Sequence, residues 1–237
     1  MGEYLRRVKT MLMENSAYNL RLWRMLVSVL ELAGVEGYPP GDGHDKNHIF
    51  RVMNNVVRLQ KVEGGDLEVL LLASVLHDIH RHMGSSCEKP VATEMIVKNI
   101  LSQVHGISEG KKCRVWEAIE KHEQYWWDGA CSCPDPLEVK ILRDGDNLDA
   151  IGAIGCARTF AFGAIHGIPE YDFDIPVSEV AYEDGQWEAS TLHHMQRKLF
   201  RIVDALHTKT ARRMAKSRIA FVRRFYNEFK REVLGEI

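Results

Sequence analysis

The sequence has no apolar run long enough to cross a bilayer, which takes about 20 residues. Its longest, Val69 to Leu76, falls well short. Neither sign of charge prevails: 31 basic and 33 acidic residues leave a net charge of −2, so nothing global favours nucleic acid or a membrane surface. The opening Met1-Gly2-Glu3-Tyr4-Leu5-Arg6-Arg7 lacks the basic-then-apolar order of a secretory signal. Cysteine is scarce. Cys87, Cys113, Cys131, Cys133 and Cys156 form no even framework, so a reducing cytoplasm is the expected setting. Cys131-Ser132-Cys133 has no second pair to complete a four-ligand structural zinc site and reads as a surface loop. Internal repeats, low-complexity segments and alternating strand patterns are also missing. What remains is an all-α chain.

Apolar spacing predicts helices over residues 3–33, 45–60, 69–81, 90–104, 111–123, 137–162 (mostly), 189–206 and 209–234. Gly34 is a plausible stop for the first, and Asp66 can cap the third. Trp126-Trp127 stands in a loop, where two rings either line a pocket or cover the core. Residues 163–187 form a long loop with few regular signals.

The chain is organised around Val69-Leu70-Leu71-Leu72-Ala73-Ser74-Val75-Leu76-His77-Asp78. An apolar helix delivers an imidazole and a carboxylate to the place where it stops. A buried carboxylate is costly unless it is paired or binds a metal. His48 lies on another helix near its N-terminal end, one turn from His44 and Arg51. Asp144, Asp146 and Asp149 sit beside apolar Ile141, Leu142, Leu148 and Ile151, which argues against a merely solvated face. His48, His77, Asp78 and Asp146 together give two imidazoles and two carboxylates. Such a mixed set suits one divalent metal ion: Mn, Mg, Co, Ni, Fe or Zn. Open positions on that ion would hold a water, lower its pKa and orient a phosphoryl oxygen. His122 shares a stripe with Val115 and Ile119, so a buried structural histidine and a site residue are both open readings.

The order His…His-Asp…Asp resembles that of the HD-domain metal-dependent phosphohydrolases. Gly43-His44-Asp45-Lys46-Asn47-His48-Ile49-Phe50-Arg51-Val52 is similar to the opening "HDxxHxxRV" of that family, and Leu76-His77-Asp78-Ile79 to its namesake motif. The segment from Asp144 to Gly155 is similar to "DADRLDAIGAIG". Ala157-Arg158-Thr159-Phe160 follows it as in a bacterial nucleotide-hydrolysing branch. The tail resembles the same branch through His194-Met195-Gln196-Arg197-Lys198-Leu199, Thr208-Lys209-Thr210-Ala211-Arg212 and Ala215-Lys216-Ser217-Arg218.

The resemblance implies an HD-domain helical bundle with additional N- and C-terminal helices. Residues 1–40 would be a helical extension, 41–165 the metal-binding core, and 166–237 a loop and helices packed on that core. It makes His48, His77, Asp78 and Asp146 the metal ligands, with His44, Asp45, Arg51, Asp144 and Asp149 as outer groups that orient them. For Asp149 a local salt bridge is the simpler role. Arg51, Arg158, Lys198 and Arg218 become candidate substrate contacts, although an ion pair suits Arg158, Lys198 and Arg218 as well. Two-metal members of the superfamily add two histidines before the last Asp. His122 matches one, but no His stands near Pro90, and acids found after the His-Asp pair in some relatives are here His80-Arg81-His82. One metal is therefore expected, and Asp144, His80 and His122 are the candidates to assist proton transfer.

The implied activity is hydrolysis of a small phosphorylated substrate, preferably a nucleotide, in the cytoplasm, with no membrane or specific nucleic acid as partner. A homo-oligomer is left open. A di-iron oxygenase of the same scaffold and a non-catalytic nucleotide-sensing module are the alternatives.

Overall fold

The structure is a computed structural model that describes residues 6, 9–10, 16–39, 41, 43–82, 90–123, 135–177 and 188–237. Trp126-Trp127, Cys87 and Cys131-Ser132-Cys133 lie outside the described residues. Among those described the fold is all-α, with no strand. No single helix there is long and apolar enough to cross a membrane. The chain divides into two compact units: Met1–Pro40, His44–Gln124 and Pro134–Gly145 belong to the first, Gly41–Gly43, Tyr125–Cys133 and Asp146–Ile237 to the second.

In the first unit, α1 spans Ser16–Leu32. Gly34 follows it at φ 65, a left-handed conformation that suits glycine. α2 spans Lys46–Glu63, and the Asp45 side chain accepts from the His48 backbone N–H at 3.0 Å. α3 spans Leu67–Leu76, and a 3-10 turn at Ile79–His82 takes the place of the end of the helix expected to 81. Asp66 caps it by accepting from the backbone of Glu68 at 3.0 Å and Val69 at 3.3 Å. α4 covers Pro90–Ser102, and α5 covers Glu109–Lys121 behind the Ser108 cap.

α3 is the centre of this unit, packed by α1, α2 and α5. Every residue from Glu68 to Leu76 is buried. An all-round apolar helix has no solvent face and must be enclosed. Each buried Leu or Val contributes about 1.5–3 kcal/mol. The exceptions are Ser74, whose hydroxyl donates to the Leu70 carbonyl at 2.7 Å, and Glu68, whose carboxylate is fully enclosed. Arg21 Nη2 at 2.7 Å and Lys111 Nζ at 3.1 Å offset its desolvation.

α6 spans Leu137–Asp149 and is divided between the units after Gly145. Gly145 lets α6 approach α2: a Cβ there would stand 2.5 Å from Val56 Cγ2. Asn55 Nδ2 donates to the Gly145 carbonyl at 2.9 Å across the same contact.

In the second unit, α7 spans Gly152–Ile165, α8 Thr191–Arg197, α9 Ile202–Ala205 and α10 Lys209–Val233. α7 packs on α8 and α10. Phe160 of α7 lies 5.7 Å from Phe225 and 5.4 Å from Phe229 between ring centres. Two sequence expectations change here. The helical stretch expected over 137–162 is two helices, broken at Ala150-Ile151, because Gly152 takes φ 88. The helix expected over 189–206 is likewise interrupted, by a 3-10 turn at Leu199–Arg201.

Candidate metal centre

α3 ends where its side chains change chemistry. His77 keeps helical backbone angles as the residue after Leu76, so its ring stays tied to the helix axis. Its Nδ1 donates to the Ser74 carbonyl at 2.9 Å. That bond fixes the tautomer and leaves Nε2 as a lone pair pointing away. The C-terminal end of a helix carries partial negative charge, which favours a cation there.

α2 brings the second imidazole. His48 Nε2 lies 3.1 Å from His77 Nε2. Asp78 Oδ2 is 3.2 Å from the first and 3.3 Å from the second. All three residues are buried. Donor atoms on an ion with bonds of about 2.1 Å stand about 3.0–3.4 Å apart, so these edges match a shared cation. Without one, a proton on the His48 ring has to join these atoms, donated to Asp78. The donor set therefore fits a divalent metal.

The carboxyl group of Asp78 is held well below its ordinary range. Burial opposes this, but His77, Arg81 and His44 nearby, together with the hydrogen bond to His48, outweigh it. Burial shifts the His80 imidazole down, and the Arg81 charge adds to that. Burial and the Asp78 charge both raise the Tyr38 phenol; its ring stacks on His82 with centres 3.5 Å apart.

His122 follows α5. Its Nδ1 donates to the Ile119 carbonyl, and its buried Nε2 has no hydrogen-bond partner among the described residues. Its ring stands edge-on to His77 at 5.2 Å. His77, Asp78 and His122 each offer a ligand atom within 4.8 Å of the others, and so do Asp78, His80 and Glu123. The structure thus sets His122 beside the His-Asp pair.

Other residues singled out in the sequence fall as follows. His44 stands edge-on to His48 at 5.5 Å, and Asp45 caps α2. Arg51 is half-buried on α2, and Asp144 is fully buried on α6. Asp146 is half-buried on α6 in the second unit. There Asp149 pairs with Arg158 Nη1 at 2.8 Å. Arg218 donates to the Leu148 carbonyl, and Lys198 ends α8.

Sequence reasoning passed over Arg143 and Glu123. Arg143 is 1% exposed and donates to Asp135 at 3.0 Å and to the Lys121 carbonyl at 2.6 Å, with a longer bond to the His122 carbonyl. It fastens the end of α5 from which His122 projects. Its place beside Asp144 in the motif was its only signal. Glu123 pairs with Arg81, a residue whose role the sequence left open.

Residues 46–151 match the HD domain family. This span of the chain is an HD domain. The matched span takes in α2 through α6 and contains the His77-Asp78 pair. The chain is 28% identical to the Bacillus subtilis protein YpgQ over 199 residues, 81% of this chain and 86% of YpgQ. A solved Lactobacillus plantarum structure is 26% identical, covers 90% of this chain and 98% of its own, and superposes with a TM-score of 0.76. A Bacillus thuringiensis HD-superfamily hydrolase is 27% identical, with coverage of 90% and 97% and a TM-score of 0.67. YpgQ has been crystallised with ADP; that structure is 26% identical, with coverage of 88% and 97% and a TM-score of 0.63. The HD-domain fold and these relatives support hydrolase chemistry in general.

Proposed function

We propose that this HD-domain chain is a metal-dependent phosphohydrolase acting on a nucleotide or another small phosphorylated metabolite. One observation carries the reading: His48 Nε2, His77 Nε2 and Asp78 Oδ2 converge within 3.1–3.3 Å of one another in a buried site. The HD fold gives that donor set a hydrolase context, and the ADP bound to YpgQ favours a nucleotide. His48, His77 and Asp78 would hold one divalent ion, and the motif order adds Asp146 as the fourth ligand.

When bound, the ion lowers the pKa of a water and orients a phosphoryl oxygen. The chain's own residues do the rest. Ser74 and Asp45 fix the two ligand-bearing elements, through the His77 ring and the His48 backbone respectively. His122, whose buried Nε2 has no hydrogen-bond partner among the described residues, is a candidate to assist proton transfer, with His80 and Asp144. Arg51 and Lys198 are proposed phosphate contacts. Arg158 and Arg218 are proposed phosphate contacts as well, beside their bonds to Asp149 and the Leu148 carbonyl.

The test is release of phosphate or pyrophosphate from a panel of nucleotides and phosphoesters, with Mn, Mg, Co, Ni, Fe and Zn in turn. A His77→Ala/Asp78→Ala double variant should fall to background. Equal release by that variant would sink the reading. Two irons per chain with oxygen uptake would point to an oxygenase instead, and tight nucleotide binding without turnover to a sensing module.

A further inference from the structure

Beside the His48–His77–Asp78 cluster lies a second set of donors. Asp78, His80 and Glu123 each present a ligand atom, all within 4.8 Å of one another. A carboxylate shared between two such sets is the usual bridge of a two-ion centre. Here a side chain already stands between the carboxylates. Arg81 Nε donates to Asp78 Oδ1 at 3.0 Å, and Arg81 Nη2 donates to Glu123 Oε1. The two oxygens of Asp78 are therefore divided: Oδ2 turns to the imidazoles, Oδ1 to the guanidinium.

We propose that Arg81 is a resident cation in the place of a second metal ion, so that the centre takes one ion per chain. The proposal rests on the metal reading above and adds what limits the count. A guanidinium keeps its charge at any pH the fold survives, and its rigid fork matches two carboxylates at once. A divalent ion between Asp78 and Glu123 would meet that positive charge at contact distance and lose both oxygens to it. The bridge joins the interior to the surface: Asp78 has a side chain 4% exposed, whereas Arg81 and Glu123 are 35% and 37% exposed. Arg81 also holds the Asp78 plane so that Oδ2 faces His48 and His77. It is a positioning residue.

The experiment loads metal-stripped protein with excess Mn²⁺, removes unbound ion by desalting, and counts manganese per chain by atomic emission. Electron paramagnetic resonance of the same samples distinguishes an isolated ion from a coupled pair. Wild type should bind one ion with an uncoupled signal. Arg81→Gln should bind two with a coupled signal, and Arg81→Gln/Glu123→Gln should return to one. Arg81→Met, which keeps the aliphatic stem, replaces the Gln variant if circular dichroism shows that Gln unfolds the chain. Two ions on wild type, or one on the folded Arg81 variants, would overturn the proposal while leaving the metal reading in place. No ion on wild type would overturn both.

Discussion

Single residues in this chain act mainly by holding other residues still. Arg143 shows how much rests on one side chain. It is buried, and its guanidinium satisfies a carboxylate and two carbonyls at the end of α5. Arg143→Met keeps the stem but leaves Asp135 without its cation. Breaking a buried pair in this way costs about 3–5 kcal/mol. The urea midpoint should drop accordingly, with the slope of the transition unchanged; an unchanged midpoint would mean that Arg143 is not the fastening described. His48, His77 and Asp78, which the structure brings together, could be singled out because each stands in a short contiguous motif. Arg143, Arg81 and Glu123 could not, because their partners are supplied by folding. Arg81 meets Glu123 across 42 residues, and Arg143 meets Lys121 across 22. No periodicity encodes such meetings.

At the scale of elements, the helix starts were the readable part. Asp66, polar and just ahead of an apolar run, announced the cap it forms. The breaks were less readable. Ile151 ahead of α7 offers no side-chain cap, and apolar spacing runs through it. Glycine is the device in both contacts of this region, with different tolerances. At Gly145 an added methyl meets a valine methyl at 2.5 Å, so a buried side chain must shift. At Gly155 it meets the Ala150 carbonyl oxygen at 2.2 Å, which is backbone and cannot. Gly145→Ala should cost about 1–3 kcal/mol, the range for modest overpacking. Gly155→Ala should cost more, so thermal melts of the two variants should rank in that order. The reverse order would show that the α6–α2 contact is the less forgiving one.

At the scale of the whole molecule, stability should respond to metal and to acid. A ligand that binds only the folded chain at a hundredfold excess over its Kd adds about 2.7 kcal/mol. For a chain of this size each kcal/mol moves Tm by about 2–4 °C. Removing the ion with a chelator should therefore lower Tm by roughly 5–10 °C. The His77→Ala/Asp78→Ala variant should show no such response, and an equal response in it would place the ion elsewhere. One group through which acid acts is His194 in the second unit. Burial, with Lys198 and Arg197 adding to it, pushes His194 down to about 3. Its unfolded value is about 6.5. Between those values the unfolded chain binds the extra proton, so stability is present above about pH 6.5 and is lost as pH falls towards 3. Tm should fall over this window, and His194→Gln should flatten the slope. An unaltered slope would assign the acid loss to other groups.

The hydrogen bond from His77 to Ser74 spans three residues, whereas the meeting of His77 with His48 spans 29. One imidazole is thus aimed as soon as α3 coils, and the other arrives only when α2 has docked. An ion finds its complete set of donors only once α2 and α3 have docked. It should slow unfolding far more than it hastens folding. Such a chain would owe its lifetime to the slowness with which it comes apart.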